Sequence, residues 1–159
     1  MMTTSPADLA SLGLGQPDQI GFVVRDLDLA MERYAPLFGP FQQAEFNDYK
    51  VSYRGAEPSA YRARFAFGRA GTLEIELIEW IEGDTPHRDF LEQGHEGMHH
   101  LRYRVDNVDD WLPRMAALGY APVWANRASP EYAFAYYERP GDPLVIELLE
   151  APDTGQPGH

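Results

Sequence analysis

DQIGFVVRDLDLAMERYAPLFG, residues 18–39, and GMHHLRYRVDNVDDWLPRMAALG, residues 97–119, decide the fold. In the first, Ile20, Phe22 and Val24 alternate as in a strand, and Leu27, Ala30, Met31, Tyr34 and Phe38 then recur at helical spacing. Asp26 and Asp28 suit the helix start and Gly39 its end, with Pro36 near the last turn. The second stretch repeats the order: Leu101, Tyr103 and Val105 alternate, and Val108, Leu112, Met115 and Leu118 share a helix face. Pro113 falls in the early turns, where a missing N–H matters less, and Gly119 closes the helix. Placing Gln19 on His100 puts Ile20 on Leu101, Phe22 on Tyr103, Val24 on Val105, Asp28 on Asp109 and Arg33 on Arg114.

Three strand-like stretches follow each helix, near 41–53, 61–68 and 72–79, and near 120–126, 132–138 and 143–150. The closing strands match in detail, IELIE at 75–79 against IELLE at 146–150. The chain therefore reads βαβββ twice. The expected class is α+β: two such modules forming a curled eight-strand mixed sheet around a cleft, helices outside. Neither half-sheet can bury its apolar face alone, so the two halves complete one core. The expected organisation is a tail over 1–16, a first module over 17–82, a connector over 83–97, a second module over 98–150 and a tail over 151–159. One domain thus spans 17–150. In the connector, Thr85 caps, Pro86 opens and Gly94 stops a short helix over 86–93.

Composition narrows the function. Of 159 residues, 44% are hydrophobic, enough for a packed core. The net charge of −12 argues against a nucleic-acid partner, whose phosphates need basic surface. No apolar run approaches the ~20 residues of a membrane helix, and the first residues read as a tail rather than a secretion signal. With no cysteine, thiolate metal sites, disulfides and thiol nucleophiles are excluded, and a cytoplasmic address fits.

Strand alternation then sorts the polar residues. If Ile20, Leu101, Ile75 and Ile146 face the helices, then Gln19, His100, Glu76 and Glu147 face away from them, with Arg102 and Arg104 on the same side. Two carboxylates converging on one buried face need positive charge nearby. A divalent cation is one solution, since amide, carboxylate and imidazole donors suit Zn, Ni, Co, Mn or Mg. Neutralisation by Arg102 and Arg104 is the other. His99 has the opposite parity and reads as packed or hydrogen-bonded. His87 and His95 read as solvent-side, Glu74 as rim or surface, and Trp80, Trp111 and Trp124 as packing residues.

The stretches DQIGFVVRDLDLAMERYAPLFG, EIELIEW, GMHHLRYRVDNVDD and LVIELLE resemble the metal-bearing strands of the vicinal-oxygen-chelate superfamily, over about 18–150. The resemblance implies paired βαβββ modules and one divalent ion held by Gln19, Glu76, His100 and Glu147. It implies an enzyme: an isomerase, epimerase or lyase acting next to a carbonyl of a small molecule through a metal-stabilised enediolate or enolate. Glu147 and Glu76 are then the candidate catalytic carboxylates, and Arg102 and Arg104 the candidate substrate-binding cations. Glyoxalase I is similar in its ligand quartet. Methylmalonyl-CoA epimerase is similar over IELIEWIEGDTPHRDFLEQGHEGMHHLRYRVDNVDD, but usually has His where this chain has Gln19 and Gln where it has Glu76. A homodimer is the family expectation. Two other readings share the fold: a bleomycin-resistance-type binding protein without catalysis, and an iron extradiol dioxygenase, which Gln19 in place of a ligand histidine disfavours.

Overall fold

The computed structural model describes residues 13–46, 49–155, 157 and 158, so most of the expected N-terminal tail lies outside the described residues. The first half runs β1 (Gln19–Val24), α1 (Leu27–Phe38), β2 (Gln42–Phe46), β3 (Lys50–Tyr53), β4 (Ser59–Ala60), β5 (Arg62–Ala70) and β6 (Leu73–Glu82). A connecting helix α2 (Pro86–Glu92) leads to β7 (Gly97–Arg104), α3 (Val108–Ala117), β8 (Ala121–Ser129), β9 (Tyr132–Arg139) and β10 (Asp142–Glu150). The strands form one curled mixed sheet in the order β2-β5-β6-β1-β7-β10-β9-β8-β3-β4. At its centre β1 and β7 run antiparallel, with Ile20 opposite Leu101. Outward from that pair, β6-β5-β2 and β10-β9-β8 are the same arrangement twice.

Among the described residues the sheet has ten strands, not the expected eight. The correction lies in the stretch 41–53, which divides into β2 and β3 around residues 47 and 48, themselves outside the described residues. β3 leaves its own half and pairs with β8 of the other, Ser52 opposite Ala125 and Tyr53 opposite Trp124. The reason is its alternation: Val51 and Tyr53 bury one face against Trp124, Tyr136 and Val145, while Lys50 and Ser52 take the other. Arg54 and Gly55, both at positive φ, then reverse the chain so that β4 pairs back on β3.

One face of the sheet carries the two long helices. Leu27 and Ala30 of α1 pack with Val24, Ala66, Ile75 and Leu77. Val108, Trp111 and Met115 of α3 pack with Ala135, Tyr137, Ile146 and Leu148. Each large aliphatic side chain removed from water here is worth about 1.5–3 kcal/mol. The helix starts are held twice over. Asp26 caps α1 by accepting from the Leu29 N–H, and Asn107 caps α3 by accepting from Asp109 and Asp110. The Leu27 N–H also donates to Glu79 at 2.6 Å, and the Val108 N–H to Glu150 at 2.9 Å. Thus the closing strand of each half fixes the helix of that half.

Of the two connector histidines expected to be solvent-side, His95 is exposed and His87 is buried. Thr85 and Pro86 do start α2, and Pro86, His87 and Leu91 are buried. The Tyr53 hydroxyl donates to Asp89 at 2.5 Å, tying α2 to the strand that crosses between halves. No helix among the described residues is long and apolar enough to cross a membrane.

Candidate functional site

The register across β1 and β7 sets the centre of the face turned away from the two long helices. His100 lies opposite Gly21, and Arg102 opposite Gln19. Glu76 of β6 sits beside Gly21, and Glu147 of β10 beside Arg102. The His100 ring rests directly over the β1 backbone, because Gly21 leaves the space open: a Cβ there would fall 2.0 Å from the ring carbon Cε1. The imidazole Nε2 lies 3.2 Å from Glu147 Oε2 and 3.4 Å from Glu76 Oε2. All three side chains are buried. Nε2 meets neither carboxylate along a good hydrogen-bond direction. The other ring nitrogen, Nδ1, sits 3.1 Å from Nδ1 of the buried His99, so one of the two rings donates to the other.

Gln19, fully buried, occupies the position in the first half that His100 holds in the second. Its amide nitrogen donates to Glu74 Oε1 at 2.7 Å, and its Oε1 has no partner among the described residues. Glu74 is therefore buried, not on the rim, and also accepts from the Gly158 N–H at 3.2 Å. Gly158, in the stretch expected as a tail, thus lies against the site. Both arginines are engaged. Arg102 donates from Nε and Nη2 to the two oxygens of Asp18, each at 3.0 Å, and only 3% of the residue is exposed. Arg104 donates to the Ala151 carbonyl at 2.9 Å.

Electrostatics follow from burial. Desolvation pushes Glu76 up, the Glu147 charge adds to the rise, and His100 opposes it. Burial lowers His100, but the two flanking carboxylates outweigh that and raise it to about 9. His87 is held down to about 3, first by burial and then by the His100 charge. His99 is lowered well below its ordinary value by burial, then by His100 and His87.

As the side chains stand, no three His, Asp or Glu among the described residues make up a formed metal site. The donor set nevertheless fits an ion. Donors about 2.0–2.2 Å from a common centre lie about 3–3.5 Å from one another, the spacing His100 keeps to both carboxylates. Two buried polar atoms with no hydrogen-bond partner, His100 Nε2 and Gln19 Oε1, add an imidazole and an amide to them. The closed ring over Gly21 fixes the imidazole without using its outward nitrogen.

Glu76 and Glu147 line a cavity of about 220 Å³. Phe65 and Phe67 of β5 form one wall, stacked within 4° of parallel. Trp124, Phe134 and Tyr136 form the facing wall. His87 enters this wall from α2, with its Nε2 3.2 Å from the Tyr136 hydroxyl. The sequence reading missed His87 and Glu74. For His87 a signal existed: it stands four residues before Leu91, on the apolar side of a short helix whose cap was readable.

Residues 18–137 match the family described as the glyoxalase/bleomycin resistance protein/dioxygenase superfamily. The chain belongs to that superfamily. A curated relative, the uncharacterized protein YqjC of Bacillus subtilis (strain 168), is 31% identical over 55 residues, which is 35% of this chain and 39% of that protein. Solved structures share the fold at lower identity. Hypothetical protein BH1468 from Bacillus halodurans C-125 aligns at TM-score 0.62 and 17% identity, over 89% of this chain and 97% of its own. Methylmalonyl-CoA epimerase from Mycobacterium tuberculosis aligns at 0.59 and 21%, over 96% and 93%. A variant of the Streptomyces coelicolor methylmalonyl-CoA epimerase in complex with 2-nitronate-propionyl-CoA aligns at 0.62 and 20%, over 89% and 97%.

Proposed function

We propose that this chain is a metal-dependent isomerase, epimerase or lyase of the glyoxalase type, acting on a small molecule next to its carbonyl group. The observation that carries this is the buried His100 imidazole between Glu76 and Glu147, the two carboxylates that line an aromatic-walled cavity. Gln19, Glu76, His100 and Glu147 would hold one divalent cation, which supplies Lewis acidity toward a carbonyl oxygen.

The chain's own residues account for the rest. A carboxylate at the cavity floor takes the proton from the carbon beside the carbonyl and returns it to the same or the neighbouring carbon. Glu147 is the first candidate and Glu76 the second, since both line the cavity and both touch His100. Gly21 and His99 hold the imidazole in place from below and beside. The aromatic walls place apolar surface around the reacting carbon. Arg102 is better read as a positioning residue than as a free substrate grip: its two bonds to Asp18 brace β7 next to Glu147.

The aromatic walls also favour a second reading, a binding protein that sequesters an organic ligand without chemistry. One experiment separates the two. Protein purified without chelator is expected to contain about one divalent ion per chain by elemental analysis, and His100→Ala to lose it. The same protein is expected to exchange solvent deuterium into an α-hydroxyketone. Metal-free wild-type protein, or ligand binding unchanged in Glu147→Gln with no exchange, defeats the enzymatic reading.

A further inference from the structure

We infer that the cavity takes a neutral, single-ring aryl compound carrying two adjacent oxygens, rather than a coenzyme A thioester or another polyanionic conjugate. The inference rests on the proposed function for the two oxygens; the aryl body is argued from the cavity itself.

Charge comes first. Arg102 is the one Lys or Arg among the described residues that line the cavity. Its guanidinium already faces Asp18 at 3.0 Å and Glu74 at 3.6 Å, and its remaining Nη1 donates to the Gly158 carbonyl at 3.4 Å. A phosphate or carboxylate entering here would meet Glu76 and Glu147 with no spare cation to offset them. An organic cation is no better placed. Each of the two carboxylates already faces His100 Nε2, at 3.4 and 3.2 Å, and a cation reaching them would have to displace that contact.

Shape and wall chemistry come next. The cavity of about 220 Å³ admits one aromatic ring with a short oxygenated side chain, but not a nucleotide-bearing thioester as a whole. The stacked Phe65–Phe67 pair faces Trp124, which packs edge-on against Tyr61 and Tyr136 with centroids 5.1 Å apart in each case. Ring faces and edges so arranged take a flat ring between them.

Calorimetric titration of the protein purified without chelator tests this with four probes. 2-Hydroxyacetophenone has the ring and the two oxygens. Hydroxyacetone has the oxygens alone. Propionyl-CoA is the polyanion, and benzyltrimethylammonium the cation. The aryl ketone is expected to bind at least tenfold more tightly than each of the others. Phe134→Leu is expected to weaken it at least fivefold. Trp124→Phe replaces the largest ring of this wall with a smaller one, and should weaken the aryl ketone severalfold. Thermal melting of both variants identifies the folded one on which affinity is read. Propionyl-CoA or the cation binding as tightly as the aryl ketone overturns the inference, and so does an aryl ketone no tighter than hydroxyacetone. Deuterium exchange in the same samples reads the proposed function separately. An aryl preference without exchange sustains the ligand class and sinks the enzymatic reading, whereas exchange without an aryl preference does the reverse.

Discussion

The two halves share an outer frame and differ on the inner face. Outside, the match is close. Glu79 and Glu150 each accept the first helical N–H of their own half, and Arg64 and Arg127 each bridge that glutamate to the helix-start aspartate, Asp28 or Asp109. Inside, equivalent positions carry different chemistry. Gln19 stands where the other half has His100, Gly21 where it has Arg102, and Glu74 where it has Val145, whereas Glu76 and Glu147 are the same. The frame must be the same twice because each helix needs the same seat. The face between the frames has no such need, and there one asymmetric constellation replaces two identical ones.

The sharpest way to break this comparison is to remove the donor that only the second half has. His100→Ala should abolish metal retention and lower α-proton exchange by at least about a hundredfold, the scale of losing a group that acts on the reacting atoms. Gln19→Ala should weaken metal retention without abolishing it, because two carboxylates and the imidazole remain. Elemental analysis and exchange rates on the two purified variants check this. Equal loss in both would show that the halves contribute alike.

Gly21→Ala is the next largest effect. The added methyl would fall within 2.5 Å of three ring atoms of His100, so the imidazole must move off the β1 backbone. The expected cost is about 1–3 kcal/mol of stability from overpacking, with a further loss of roughly 10–100-fold in metal affinity, as for a displaced supporting shell. Denaturant melts and metal titration measure the two separately. An unchanged metal affinity would mean that the ring over Gly21 does not serve the site.

How much of this was legible follows from what repeats. Period-two alternation assigned Ile20, Ile75, Leu101 and Ile146 to the helix side and Gln19, Glu76, His100 and Glu147 to the opposite side, since alternation depends only on backbone geometry. The crossing of β3 was hidden. Its partners in β8 lie some seventy residues on, and nothing local distinguishes an outer strand of one half from an added edge of the other. Glu74 was hidden for a related reason. A carboxylate at a strand start reads as solvent-facing unless the chain returns to cover it, and here the return comes from Gly158. For Arg102 a substrate grip and a salt-bridged strand face were equally readable, and its partner Asp18, which decides for the ion pair, lies 84 positions earlier.

His87 carries a pH-dependent prediction specific to the asymmetric face. The groups around it are Tyr136 from β9, His99 and His100 from β7, and the indole of Trp124 from β8. It is neutral in the fold, with its pKa lowered to about 3, against about 6.5 in the unfolded chain. The unfolded chain therefore binds the extra proton first. Stability is fully present above pH 6.5 and is lost as pH falls toward 3, by on the order of 2 kcal/mol at pH 5. Urea melts at about pH 7.5 and about pH 5 should show this loss, and His87→Phe should remove much of it. A slope identical in the variant would place the pH dependence elsewhere, with His99 the next candidate because its shift has the same direction.

The smallest effect tests the shared frame. Glu79→Gln and Glu150→Gln each keep an oxygen able to accept from the Leu27 or Val108 N–H, but lose the charge that holds Arg64 or Arg127. Exposed ion pairs contribute about 0–1 kcal/mol, and a charged acceptor at a helix start about 0.3–1 kcal/mol. Glu150 also has the closer arginine, at 2.7 Å against 3.6 Å for Glu79. Both variants should therefore lose about 1 kcal/mol or less, with Glu150→Gln slightly the worse, and both should keep metal and exchange activity. Side-by-side melts resolve this. A loss of metal in either variant would mean that the frame and the inner face are mechanically one, and that the division drawn between them is wrong.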